Sequence, residues 1–313
     1  MEKINILYSF GKDSWRMAAV SIESLLLSAK ETTKIAIYCM VEPGTKGYWK
    51  IRRIVKSHKH GAELVWRKVN PKKNPFKDQE TSKTNPKAFY RCFAHRVFKK
   101  IDKILYLSTD TLMYRDLSEL FNTDISDCVF GAVPDMAPIN DASNALGVYA
   151  KEFSEKHLNK GPYYNCGVLL LNLKKMAENE QKLFENKEPL RYPVQDLLNI
   201  TFVGKIKTLP LKYNLAPGVG VPKHFSPEEA AEINAGGHVI LDCYYARAYD
   251  KERANKVTYD MFEKCAEKIG MTPKSFLVAD KKKEKTRKTF IPHITVRGQK
   301  VLFFGMEIDS QKQ

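Results

Sequence analysis

The chain reads as an α/β protein built on a doubly wound sheet. Three observations carry that expectation. Short apolar runs alternate with stretches of helical periodicity along most of the sequence. Several of those runs, such as IAIYCMV and GVLLLNL, are apolar almost throughout, the pattern of strands buried on both faces. And a polar tripeptide, Ser108-Thr109-Asp110, follows directly on the apolar run Ile104–Leu107. Ligands of open α/β sheets sit just beyond carboxyl strand ends, so a carboxylate there is placed to hold a metal that carries phosphates.

Taken in order, Ile4–Ser9 is the first strand. SFGKDS follows, and then a helix through Met17, Val20, Ile22, Leu25 and Leu26. Lys34–Val41 is a β-branched second strand. Pro43-Gly44 breaks it, and Ile51, Ile54 and Val55 give Tyr48–His58 helical spacing. Leu64–Val69 reads as strand. Asn70–Pro86, polar and with three prolines, reads as loop. A basic helix, Lys87–Lys100, leads into Ile104–Leu107. Then come a strand at Cys128–Val133, helix over Asp141–His157, a buried strand within Tyr163–Asn172, a short helix at Pro193–Phe202 and a strand at Ile206–Leu209. Ser226–Ile233 opens with SPEE: an N-cap serine, a proline at the first helical position and acids in the first turn. His238–Asp242 is strand, Thr258–Ile269 amphipathic helix, and Thr289–Ile308 a hairpin about Arg297-Gly298-Gln299.

The 313 residues, 43% hydrophobic and 28% charged, suffice for one large domain or two small ones with a full core. Met1-Glu2-Lys3 runs straight into a strand, which predicts no signal peptide, and no apolar run approaches a membrane span. The six cysteines are scattered and form no CxxC pair, so they read as reduced thiols of a cytoplasmic protein. The net charge is +16, and its location is informative. Residues 46–103 carry 18 Lys and Arg against four acids, net +14. Residues 281–288 carry net +5, and the remainder is net −3. Charge clustered in this way suits a polyanionic partner.

The segments ILYLSTDTLMYRDLSELFNTDISD, YYNCGVLLLNLKKM and YPVQDLLN, in this order and together with the first strand and its helix, resemble the family 8 glycosyltransferases. That group includes lipooligosaccharide galactosyltransferases and glycogenin. The resemblance runs from about Ile4 to about Asp242. It implies a single GT-A domain with a mixed sheet over residues 1–270, followed by a basic hairpin extension over 271–313. It also implies transfer of a sugar from a UDP-sugar to a hydroxyl with retention, assisted by Mn²⁺ or Mg²⁺ on the departing diphosphate. By resemblance Gln195 lies beside the anomeric carbon, with Asp196 supporting it. Ser9, Asp13, Arg91, Asp110 and Asn165 bind the donor. A lysine that grips the diphosphate in some members stands here as Ala248, so Arg247 is expected in its place.

Two departures alter the metal site. The family's DxD motif is Ser108-Thr109-Asp110, and its late histidine is Asp242. The implied ligands are therefore Ser108, Asp110 and Asp242, an all-oxygen set that still has two anions. The first Asp of the family's DQD motif is Val194, which cannot pair with a sugar hydroxyl, so a pentose or deoxy donor is an expectation. SFGKDS also resembles the SGGxDS loop of ATP pyrophosphatases, with Phe10 in place of the first glycine. For the acceptor, the +14 segment with its aromatics puts hydroxymethylated bacteriophage DNA ahead of a surface glycan met at the cytoplasmic membrane face. The basic tail, Lys281–Phe304, would then touch the membrane. A non-catalytic binder with a decayed metal site is the third reading.

Overall fold

The computed structural model describes residues 3–59, 61–78, 82, 85–135, 145–185, 190–216, 227–243, 248–252, 254–276, 294–296 and 299–301. In chain order the strands are β1 (Ile4–Phe10), β2 (Ile35–Val41), β3 (Glu63–Lys68), β4 (Lys103–Leu107), β5 (Thr111–Met113), β6 (Phe130–Ala132), β7 (Val168–Asn172), β8 (Ile206–Thr208), β9 (Ile240–Asp242), β10 (Ile294–Val296) and β11 (Gln299–Val301). The helices are α1 (Trp15–Ser28), α2 (Tyr48–Ser57), α3 (Ala94–Val97), α4 (Ser118–Phe121), α5 (Ala145–His157), α6 (Leu173–Glu178), α7 (Glu180–Glu185), α8 (Pro193–Thr201), α9 (Pro227–Asn234) and α10 (Lys256–Lys268).

Seven strands form one sheet in the order β3-β2-β1-β4-β7-β6-β8. β1, β2, β3 and β4 run parallel, as the alternation of strand and helix predicts. β7 runs against both its neighbours, β4 and β6, so the sheet is mixed rather than wholly parallel. A run such as VLLLN is apolar throughout in either direction, because both faces are covered in both cases. The strand's direction is therefore absent from its composition.

Alternate residues of each strand feed the two faces. Ile6, Tyr8 and Phe10 of β1 join Leu105 and Leu107 of β4 under α1, α2 and α10. Leu7, Ile104, Tyr106, Leu169 and Leu171 face the opposite layer, where Phe89, Tyr90 and Phe93 meet Leu197 and Leu198 of α8. Each such side chain, removed fully from water, stabilises the fold by about 1.5–3 kcal/mol. One buried charge ties the first layer together. The Glu23 carboxylate of α1, 1% exposed, meets His58 Nε2 just after α2 at 3.1 Å and Lys268 Nζ of α10 at 2.9 Å.

The expected basic helix over Lys87–Lys100 is instead a 3-10 stretch, Pro86–Phe93, followed by the short α3. Pro86 at its start and the demand to bury Phe89, Tyr90, Cys92 and Phe93 together favour the tighter coil over a regular helix. The strand expected within Tyr163–Asn172 begins only at Val168; the five residues before it form the site described below. β10 and β11 pair antiparallel, Ile294 opposite Val301, as the predicted hairpin requires; Arg297 and Gly298 lie outside the described residues. All six cysteines are free and five are buried. Among the described residues no helix is long and apolar enough to cross a membrane.

β5 leaves the sheet after Asp110 and pairs antiparallel with β9. This two-stranded ladder stands at the edge where β1, β2 and β4 end and where antiparallel β7 begins. The sheet thereby delivers five chain segments to one rim.

Candidate active site

The segment Tyr164-Asn165-Cys166-Gly167, entering β7, is the spine of this rim. The Gly167 carbonyl accepts the Ser108 N–H at 2.8 Å. The Cys166 carbonyl accepts from the Arg91 guanidinium, and the Cys166 N–H donates to Gln195 Oε1 at 3.1 Å. Asn165 Oδ1 accepts the Gly167 N–H at 2.7 Å and Asn214 Nδ2 at 2.9 Å. Its Nδ2 donates to Asp135 at 3.2 Å. Four residues thus link Arg91, Ser108 and Gln195 to one another through Asn165 and its neighbours.

Asp110 and Asp242, 132 positions apart in the chain, come together through the ladder of β5 and β9. Thr111 lies opposite Asp242, and the Cys243 N–H donates to the Asp110 carbonyl at 2.9 Å. Cys243 feels both carboxylates: burial pushes its thiol well above the usual range, and the negative charge of Asp242 and Asp110 pushes it further. The Asp242 side chain, nearly buried, lies over Gly167. A Cβ built on that glycine would fall 2.3 Å from Asp242 Oδ2 and 3.0 Å from Asn165 Oδ1. Ser108 Oγ donates to Asp110 Oδ1 at 2.6 Å, and Thr109 Oγ1 to the same oxygen at 3.4 Å.

Ser108 and Asp110 are thus hydrogen-bonded to each other, and Asp242 lies over Gly167, the residue whose carbonyl accepts the Ser108 N–H. Among the described residues no three His, Cys, Asp or Glu side chains cluster to form a self-sufficient metal cage. Two carboxylates and a hydroxyl are nevertheless the donor set that Mg²⁺ or Mn²⁺ uses when phosphates and waters complete its shell. The nearly buried Asn214 adds a second indication. Its Oδ1 accepts no hydrogen bond among the described residues, although its Nδ2 is bonded to Asn165. A buried acceptor without a donor is costly, and a bound cation or ligand donor would satisfy it.

Beside these carboxylates, Arg91 is held from three directions. Its guanidinium lies 4.0 Å over the Tyr106 ring, its Nε donates to the Ala88 carbonyl at 3.1 Å, and a terminal nitrogen donates to Cys166. Ser9 Oγ, at the end of β1, donates to Tyr106 Oη at 3.3 Å. Burial raises the Tyr106 phenol above its usual range against the opposing pull of Arg91, so Tyr106 stays a neutral platform. Asp13, more exposed, is paired with Lys87 at 3.0 Å at the mouth of the β1 loop. Phe10 is the buried last residue of β1, not part of a phosphate loop.

Gln195 and Asp196 open α8 but face different surroundings. Gln195 Nε2 donates to Asp135 Oδ2 at 2.7 Å, on the side of Asn165. Asp196 is fully buried and accepts four donors: the Tyr149 hydroxyl at 2.7 Å, the Tyr163 hydroxyl at 2.5 Å, and the backbone N–H groups of Arg191 and Tyr192 at 2.8 and 2.7 Å. It anchors the start of α8 beneath Gln195. Val194 packs into the apolar cluster with Leu197 and Leu198. Its apolar character thus has a packing cause, which removes the ground for a pentose donor. Arg247 lies outside the described residues, and Ala248 is buried beside Asp110.

Asp135 was missed in the sequence. It is 3% exposed and bonded to both Asn165 and Gln195. A signal existed: the dipeptide Pro134-Asp135 places a carboxylate just beyond the strand predicted over Cys128–Val133, the same pattern that singled out Asp110.

With this geometry in hand, the family model described as Glycosyl transferase family 8 matches residues 5–235. The chain belongs to glycosyl transferase family 8. A lipopolysaccharide 1,2-glucosyltransferase of Escherichia coli is 26% identical over 229 residues, which is 68% of this chain and 62% of the relative. Its counterpart in strain K12 is 29% identical over 133 residues, 40% of this chain and 37% of the relative. This family 8 chain thus spans between 37% and 62% of the length of these curated relatives. The structure of galactosyltransferase LgtC in complex with donor and acceptor sugar analogues matches with a TM-score of 0.68 at 20% identity, covering 88% of this chain and 100% of that one. The apo WbbM bifunctional glycosyltransferase matches with a TM-score of 0.67 at 19% identity, over 89% and 51% of the two chains. These likenesses establish the GT-A fold. The DNA acceptor expected from charge alone finds no support in these relatives.

Proposed function

We propose that this family 8 member is a retaining glycosyltransferase that moves a hexosyl group from a UDP-sugar to a hydroxyl of a lipopolysaccharide-type glycan. The observation that supports the reading is the pairing of β5 with β9, which brings the chain at Asp110 beside the chain at Asp242, whose carboxylate lies over Gly167. Ser108, Asp110 and Asp242 would hold a divalent cation, whose chemistry is to neutralise the charge developing on a departing diphosphate. Arg91, fixed on Tyr106, supplies a second positive charge to that diphosphate. Asn165, Gln195 and Asp135 form a hydrogen-bonded trio that positions the sugar, and the Asp135 carboxylate faces the positive charge that builds at an anomeric carbon in an oxocarbenium-like transition state. Asp196 holds Gln195 in place from below.

The glycan acceptor rests on the relatives, which are named for lipopolysaccharide synthesis. The test is release of UDP from UDP-glucose and UDP-galactose by the purified chain with Mn²⁺ or Mg²⁺, with and without lipopolysaccharide core. Turnover that disappears on chelation and in D110A is the expected result. Failure with every nucleotide sugar supplied would leave a binder in place of an enzyme.

A further inference from the structure

Helix α2 presents an outward face that the donor site does not use. Its inward face buries Ile51, Ile54 and Val55. At helical spacing the opposite side carries Trp49, Arg52, Arg53 and Lys56, positions i, i+3, i+4 and i+7. Trp49 is 73% exposed, with the Arg52 guanidinium 5.5 Å from its ring centroid. Exposed Lys46 and Lys59 flank the helix, and Arg67 and Lys68 are exposed on β3, the neighbouring edge strand. Residues 46–59 contain six Lys and Arg and no Asp or Glu. Among the described residues none of those six takes part in an ion pair.

Solubility alone does not account for this face. A solvated helix gains from opposite charges at i,i+4, whereas Arg52 and Lys56 place like charges there, which is destabilising in water. A tryptophan so exposed adds a large apolar area that its contacts with Tyr48 and Arg52 leave mostly in water. Both features become favourable against a plane of anionic headgroups. There each nearby Lys or Arg contributes to attraction, and indole prefers the boundary between headgroup and hydrocarbon. A nucleic acid would satisfy the cations, but stacking by Trp49 needs a groove in which bases can be splayed, and the side of a helix is convex. The turn that carries Trp49 follows the carboxyl end of β2, on the rim where the candidate active site lies.

We infer that the Trp49–Lys56 face of α2 docks the protein onto anionic lipid bilayers. The inference does not depend on the identity of the sugar donor. The experiment is cosedimentation of the full chain with phosphatidylglycerol-containing vesicles, with pure phosphatidylcholine as control, while tryptophan emission is followed. Wild type should bind only the anionic vesicles, with a blue shift that W49F abolishes. R53Q/K56Q should lower the partition coefficient by about 25-fold, about fivefold per charge removed. An unchanged melting temperature shows that the variants are folded. Three results would overturn the inference: no binding by wild type, variants that bind as well as wild type, so that the tail does the work, or a blue shift produced by duplex DNA and not by vesicles.

Discussion

Gly167→Ala adds one methyl group at the point where the candidate site is most crowded. The backbone there is not in the left-handed region, so alanine meets no conformational barrier of its own. The obstacle is the Asp242 carboxylate, whose Oδ2 would lie 2.3 Å from the new carbon. Ordinary van der Waals contact begins near 3.4 Å, so the carboxylate must withdraw by about 1.1 Å. Asn165 Oδ1, at 3.0 Å, must also give by a few tenths of an ångström. A displacement of about 1 Å in a positioned group costs on the order of 10²-fold in rate. The overpacking itself costs about 1–3 kcal/mol of stability, which a domain of this size tolerates. G167A is therefore expected to be folded, to lose about a hundredfold in UDP release from a UDP-sugar, and to require more Mn²⁺ for half-maximal activity. Activity against metal concentration, alongside thermal denaturation, reads both effects. Wild-type turnover with unchanged metal dependence would show that the Asp242 carboxylate has no part in the chemistry.

Asp196→Ala leaves four donors without their acceptor, at about 1 kcal/mol or more each, so a loss of about 4 kcal/mol in urea denaturation is expected; D196N, which keeps one oxygen, should lose about half as much. Arg91→Lys keeps the charge but loses the ring stacking and the planar fork, and should raise KM for the donor by about tenfold, with the fold intact by circular dichroism. Acid should weaken the fold in two steps. Burial lowers the His95 pKa below its usual 6.5, so its neutral form is the folded one and stability falls as the pH drops through that value. The Arg96 guanidinium, followed by His95, lowers Glu180 from 4.5 to about 2, so its contribution is full above pH 4.5 and is lost on the way down to about 2. H95Q should remove the first step and leave most of the second in a series of melts against pH.

The alternation of apolar runs and helical stretches was enough to indicate an α/β fold, because burial on both faces imposes composition directly on the strands. It also drew attention to Asp110, because a polar tripeptide closes the apolar run Ile104–Leu107 and the rule about strand ends is local; Asp242 came with the family resemblance. The order of the motifs carried the family, and with it Arg91, Asn165 and Gln195. What the chain could not reveal alone is decided by partners remote in sequence. Strand direction depends on which neighbour β7 meets, and its side chains look the same either way. The 3-10 coil over Pro86–Phe93 follows from the need to bury four side chains at once against the sheet, which overrides helical spacing. Val194 invited a reading about sugar hydroxyls until its place in the core was known. Asp135 acquires meaning only when Asn165 and Gln195 are folded against it. The charge of residues 46–103 suggested a polyanion, but a charge count carries no direction. Only the folded helix shows Arg52, Arg53 and Lys56 on one outward face, with exposed Trp49 at its amino-terminal end.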